Sequence, residues 1–90
     1  MTLKIISKSI SENRKRLDAT IKVSPFWTND YEISLRILAR EPIGESQERE
    51  LLDEVVENKK KWQMGKKNRF LHLKGIAGTA YILNEQTIEE

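Results

Sequence analysis

Ser46-Gln47-Glu48-Arg49-Glu50-Leu51-Leu52-Asp53-Glu54-Val55-Val56-Glu57-Asn58-Lys59-Lys60-Lys61-Trp62-Gln63-Met64-Gly65 is the stretch on which the fold turns. Leu51, Leu52, Val55 and Val56 recur at helical spacing, and Trp62 falls farther along the same face. Ser46 carries the side chain of an N-cap. Glu45, Glu48 and Glu50 sit at the amino end and Lys59, Lys60 and Lys61 near the carboxyl end, each sign where the helix dipole favours it. Arg49 with Asp53, and Glu57 with Lys61, are spaced for i,i+4 pairing. Gly65 is a natural left-handed stop. These signals predict one amphipathic helix from Ser46 to Gly65, and its apolar stripe requires a surface to pack on.

That surface is legible upstream. Leu17-Asp18-Ala19-Thr20-Ile21-Lys22-Val23-Ser24 alternates apolar and polar without a break, and Tyr31 to Arg40 does nearly the same. Period-two alternation sends side chains to a dry face and a wet face in turn, so both segments predict half-buried strands. Pro25 closes the first, and Asn29-Asp30 supplies turn chemistry before the second. Leu3 to about Ser9 reads as a further strand, joined through Glu12-Asn13-Arg14-Lys15. A short helix there is the competing reading, because Ser9 and Glu12 have capping-box spacing. Downstream, Phe70 to Lys74 and Thr79 to Asn84 predict two short strands around Gly75-Ile76-Ala77-Gly78. The expected architecture is α+β, in the order β-β-β-α-β-β: a small antiparallel sheet packed on one amphipathic helix. A single domain over residues 1–84 and a polar, frayed tail over 85–90 complete it. Three strands followed by a helix is similar, in element order alone and with no shared motif, to small integrase arm-binding and plant AP2-type domains; that resemblance would imply DNA contact by the sheet.

Ninety residues allow one core, which buries about 60–70% of the unfolded surface. There is no cysteine, hence no disulfide and no zinc ribbon. No apolar run reaches the length needed to cross a bilayer or to form a signal-peptide core. A cytoplasmic protein with no membrane contact is expected.

The net charge of +2 conceals strong blocks. Residues 1–40 hold eight Lys/Arg against four Asp/Glu, residues 41–58 one against seven, residues 59–74 seven against none, and residues 75–90 none against three. Lys59, Lys60, Lys61, Lys66, Lys67 and Arg69 place six bases in eleven residues around Trp62, the composition of a phosphate-binding patch. The helix dipole alone accounts for lysines late in a helix, and Trp62 falls on the apolar stripe, so it reads as core rather than as a stacking platform. If Leu17, Ala19, Ile21, Val23, Ile33, Leu35 and Ile37 face the helix, the wet face carries Lys4, Lys8, Arg16, Lys22, Arg36 and Arg40 against Asp18 and Glu32, a net +4. Such a face suits a nucleic-acid backbone, although antiparallel sheets commonly have one charged, solvated face.

Phe26, Trp27 and Tyr31 form an aromatic cluster. Phe26 and Tyr31 are expected to plug the open edge of the core and Trp27 to be exposed; Trp27 and Phe26 are the candidate protein-binding residues. Glu41 to Glu57 lacks the Asp/Asn alternation of a calcium loop and reads as a solvated helix face. Gly75-Ile76-Ala77-Gly78 has the bare GXXG spacing of RNA-binding loops that join two helices, but lies between strands. Gly65-Lys66 lacks the remaining residues of a P-loop. His72 is the only histidine and has no Cys, Ser or acid beside it. No catalytic residue, metal ligand or cofactor is therefore expected. The function expected from sequence is a small non-enzymatic regulator that binds nucleic acid, DNA or RNA, through the basic sheet face and the Lys-rich helix end. The alternative is a protein-binding module: an inhibitor, adaptor or small subunit. The edges of a small sheet also invite a second copy, so a homodimer is an open expectation.

Overall fold

A computed structural model describes residues 1–88. Three nine-residue strands, β1 (Thr2–Ile10), β2 (Arg16–Ser24) and β3 (Tyr31–Ala39), precede the helix α1 (Glu45–Glu57). After a single 3-10 turn at Lys59–Lys61 come β4 (Gln63–Met64), β5 (Arg69–His72) and β6 (Gly78–Thr87). All six strands form one antiparallel sheet in the order β1-β2-β3-β6-β5-β4. The expected α+β order is present, with β4 as a short addition at one edge.

The core lies between α1 and one sheet face. Alternation in β2 and β3 buries Leu17, Ala19, Ile21, Val23, Ile33, Leu35 and Ile37, as the period-two pattern requires. Leu51, Leu52, Val55 and Val56 cover them from the helix, and Leu71, Leu73, Ala80 and Ile82 continue the layer under β5 and β6. Ile43, fully buried, plugs the approach to the helix.

The helix itself is shorter than the sequence predicts. At its start, Ser46 lies inside the first turn, and Gly44 is the N-cap residue. The Gln47 side-chain oxygen accepts the Gly44 amide at 2.8 Å, which satisfies a group that the helix leaves unpaired. At its end, the backbone and side-chain amides of Asn58 both donate to the Glu54 carbonyl, at 3.1 and 2.8 Å. Trp62 then folds back, and its indole N–H donates to the Val55 carbonyl at 2.9 Å. Donors from outside the helix thus take carbonyls of its last turn, and the chain leaves through the 3-10 turn before reaching Gly65. Trp62 is half-buried against the core, which places it with the packing residues.

Two further corrections follow from irregular strands. β1 carries a bulge between Ile5 and Ser7, after which Lys8 lies opposite the buried Ala19. One extra residue moves every later side chain to the other face. Lys8 therefore leaves the wet face and reaches the helix, where its Nζ lies 2.6 Å from a Glu48 carboxylate oxygen. The second concerns the tail. β6 runs on to Thr87, so residues 85–87 form a ladder with β3 instead of fraying, and the Ile88 amide bonds to the Asp30 carbonyl at 2.8 Å. The rest of the expected tail, residues 89–90, lies outside the described residues.

Candidate functional site

The bases of the run from Lys59 to Arg69 separate into two sets. Glu85 ties down the first. Its carboxylate takes Lys59 Nζ at 2.6 Å and Arg69 Nη2 at 2.8 Å. Burial by itself would raise the Glu85 pKa, but the hydrogen bonds from Lys59 and Arg69 outweigh it and hold the carboxyl below its ordinary value. Lys59 also stands 3.9 Å from the centroid of the Tyr31 ring, and Arg69 5.2 Å from that of Trp62. Burial, and then the Glu85 charge, push the Tyr31 hydroxyl upward. These two bases join the end of α1 to β5 and β6.

Lys60, Lys61, Lys66 and Lys67 form the second set. All four are exposed, and none makes an ion pair among the described residues. Lys66 and Lys67 occupy the tight turn between β4 and β5, closed by the Gly65 amide donating to the Asn68 carbonyl at 3.1 Å. A Cβ on Gly65 would lie 2.6 Å from that carbonyl oxygen and 3.2 Å from the Phe70 ring, so only glycine lets the turn close against the aromatic.

The remaining predicted bases stand apart from this turn, beyond β6. Lys22 lies 3.5 Å from Asp30. Arg36 Nε donates to Asp18 at 2.8 Å, while Arg16 Nε donates to the other oxygen of the same carboxylate at 2.9 Å. Burial acts to raise Asp18, and the two guanidinium partners, Arg36 foremost, bring it below the usual value. Arg40 follows β3 as an exposed bend residue whose amide is held by the Ala77 carbonyl. Within the strands the helix-free face consequently carries Lys4, Arg16, Lys22 and Arg36 against Asp18 and Glu32, a net +2 in place of the expected +4, because Lys8 is turned to the other face and Arg40 lies past the end of β3.

A feature not anticipated from sequence occupies that same face. Burial of Leu71, Ala80 and Ile82 sends Phe70, His72 and Tyr81 to the side away from the helix. Phe70 is paired with Tyr81 across β5 and β6, their ring centroids 6.5 Å apart, and Phe70 meets His72 edge-on at 5.3 Å. The alternation of Arg69-Phe70-Leu71-His72 and Thr79-Ala80-Tyr81-Ile82 contains this placement, once each strand is assigned a buried face.

Phe26 and Trp27 lie at the far end of the sheet, 85% and 78% exposed. Tyr31, at 8%, plugs the core as expected, but Phe26 does not: three bends after Pro25 carry it past the sheet end. Trp27, Met1, Pro25, Tyr31, Val56 and Lys60 border an open apolar cleft of about 600 Å³.

Among the described residues, no three His, Cys, Asp or Glu side chains gather to hold a metal, and no helix is long and apolar enough to cross a membrane. No family model, no curated protein and no solved structure matches the chain.

Proposed function

We propose that the chain is a non-enzymatic regulatory module of the cytoplasm that binds nucleic acid through the Lys66–Lys67 turn and the adjoining helix-free sheet face. The observation that carries this reading is the division among the bases. Lys59 and Arg69 share the Glu85 carboxylate, whereas Lys66 and Lys67 in the β4–β5 turn, and Lys60 and Lys61 in the 3-10 turn, are exposed and form no ion pair among the described residues. Unpaired, solvated ammonium groups can exchange their counterions for phosphates, and the release of condensed ions from the polynucleotide drives association. Compared with the sequence reading, which joined the basic sheet face to the Lys-rich helix end, the proposed contact surface narrows to the β4–β5 turn and the sheet face beside it. Arg36 and Lys22 belong to its margin, since each already has a carboxylate partner.

Titration of a fluorescent oligonucleotide at low salt tests the proposal. Charge reversal of both turn lysines (K66E/K67E) is expected to weaken binding at least about tenfold, in line with the loss of two phosphate contacts. Equal affinity of the variant and the parent chain would contradict it.

A protein partner is the second reading, favoured by Phe26 and Trp27. Two large aromatic side chains so exposed beside an apolar cleft are the kind of anchor that dominates protein interfaces. Trp27→Ala is expected to release a partner seated there without altering oligonucleotide binding. Retention of such a partner by the variant would remove Trp27 from the interface.

A further inference from the structure

We infer that the helix-free face is a stacking platform and that the ligand is single-stranded nucleic acid, its bases seated on Phe70 and Tyr81; this rests on the nucleic-acid reading above. The registers of all six strands place Ser9, Asp18, Arg36, Tyr81, Phe70 and Gln63 in a single row across the sheet. Neighbouring strands lie about 4.8 Å apart, so the row spans roughly 24 Å. Its chemistry changes along its length. Next to Ser9 at one end is the Asp18 carboxylate, which orients the Arg36 guanidinium through Nε at 2.8 Å. Next stand the two aromatic rings, one on each of two adjacent strands. At the other end, beyond Gln63, Gly65 closes against Phe70, and the same turn carries the exposed Lys66 and Lys67. Phosphate-binding cations thus flank a pair of rings on an uncovered sheet surface.

That arrangement selects against a duplex. In a double helix the faces of the bases are hidden in the stack, and the exposed charge lies on two backbones. A single strand presents unstacked bases, each with a π face that an aromatic ring can cover whatever its identity. Phe70 and Tyr81 offer such faces without demanding a base sequence. Arg36, fixed by Asp18, keeps guanidinium N–H groups for a phosphate or a base edge. An aromatic cross-strand pair also stabilises a sheet on its own account, so the decisive readout has to be ligand discrimination as well as the effect of removing a ring.

The experiment compares a fluorescent single strand with a duplex of the same sequence, for the parent chain, Phe70→Leu, Tyr81→Val and K66E/K67E. Leucine and valine keep the side chains apolar, and circular dichroism with a melting curve establishes that each variant is folded. The single strand is expected to bind at least about tenfold more tightly than the duplex. Each ring substitution is expected to weaken single-strand binding by about tenfold, the loss typical of one stacked base, with the salt dependence unchanged. A Tyr81→Phe variant, which keeps the ring, should bind like the parent. If duplex and single strand bind equally and the ring variants match the parent while K66E/K67E is weakened, the platform is refuted and the nucleic-acid reading stands. If no oligonucleotide binds at low salt, both fall.

Discussion

Arg14 has a left-handed backbone (φ 58°), a conformation that costs a residue with a side chain about 1–2 kcal/mol. Its side chain recovers the loss: Nε donates to the Ile43 carbonyl at 2.6 Å, and Nη2 pairs with Glu48. Glu48 is buried in the first turns of α1 and receives Lys8 from β1 as well. The β1–β2 turn, β1 and the helix therefore meet on one carboxylate. Replacing Arg14 with alanine removes the contacts and keeps the strain, whereas glycine removes both. The alanine variant is expected to be less stable than the glycine variant by about 1 kcal/mol in urea denaturation. Equal stabilities would mean that the backbone at Arg14 is unstrained. The same carboxylate sets a pH dependence. The hydrogen bond from Lys8, opposed by burial and reinforced by Arg14, lowers its pKa in the folded chain. A group depressed on folding contributes stability that is complete above its unfolded pKa and is lost as pH falls through the folded value. Glu85 and Asp18 are depressed in the same direction. Stability is expected to decline below about pH 4, and Glu48→Gln to flatten that decline. An unchanged acid slope in the variant would take Glu48 out of the linkage. Nothing in the sequence near Arg14 signals this cluster, because Arg14 and Glu48 lie 34 residues apart and Lys8 joins them only through the bulge in β1.

At the level of elements, the strands were legible and the helix end was not. Alternation in β2 and β3 is a property of each segment alone, and it named the buried face residue by residue. The bulge in β1 depends on pairing with β2, and it reversed the assignment of Lys8. The carboxyl end of α1 depends on a tertiary contact, since the donor to the Val55 carbonyl is the indole of Trp62, seven residues ahead. Propensity reads Trp62 as one more apolar residue on a continuing stripe; its N–H made it part of the termination. Trp62→Phe keeps the ring and loses the donor, and is expected to destabilise the fold by about 1 kcal/mol in a thermal melt. Glu54 likewise ties the β5–β6 connection to the helix by accepting the amides of Lys74 and Gly75 at 2.6 and 3.0 Å. That contact holds the start of the Gly75-Ile76-Ala77-Gly78 connection against the helix. In the core, Leu52→Ala should cost about 2–5 kcal/mol, because Leu52 is fully buried between helix and sheet. A loss under 1 kcal/mol would show that the helix packs differently.

For the molecule as a whole, the helix divides the sheet into a covered face and a free one, and the division decides which residues can meet a ligand. Counting charges along the sequence suggested a broadly basic wet face. Folding removed Lys8 and Arg40 from it, matched Arg16 and Arg36 with Asp18, and matched Lys59 and Arg69 with Glu85. Among the bases left without an ion pair in the described residues are Lys66 and Lys67, in the turn whose Gly65 closes against Phe70 of the Phe70–Tyr81 pair. The lysine run was visible in sequence; its separation into tied and untied members was not, because Glu85 is distant in the chain and was assigned to a tail. The most direct test of the central claim is an amide chemical-shift map of the labelled protein as a single-stranded oligonucleotide is added at about 50 mM salt. The expected result is a continuous set of shifted amides over residues 65–72 and 79–84, with the Pro25–Thr28 loop unmoved. Shifts confined to the Pro25–Thr28 loop, or none at all, would contradict it.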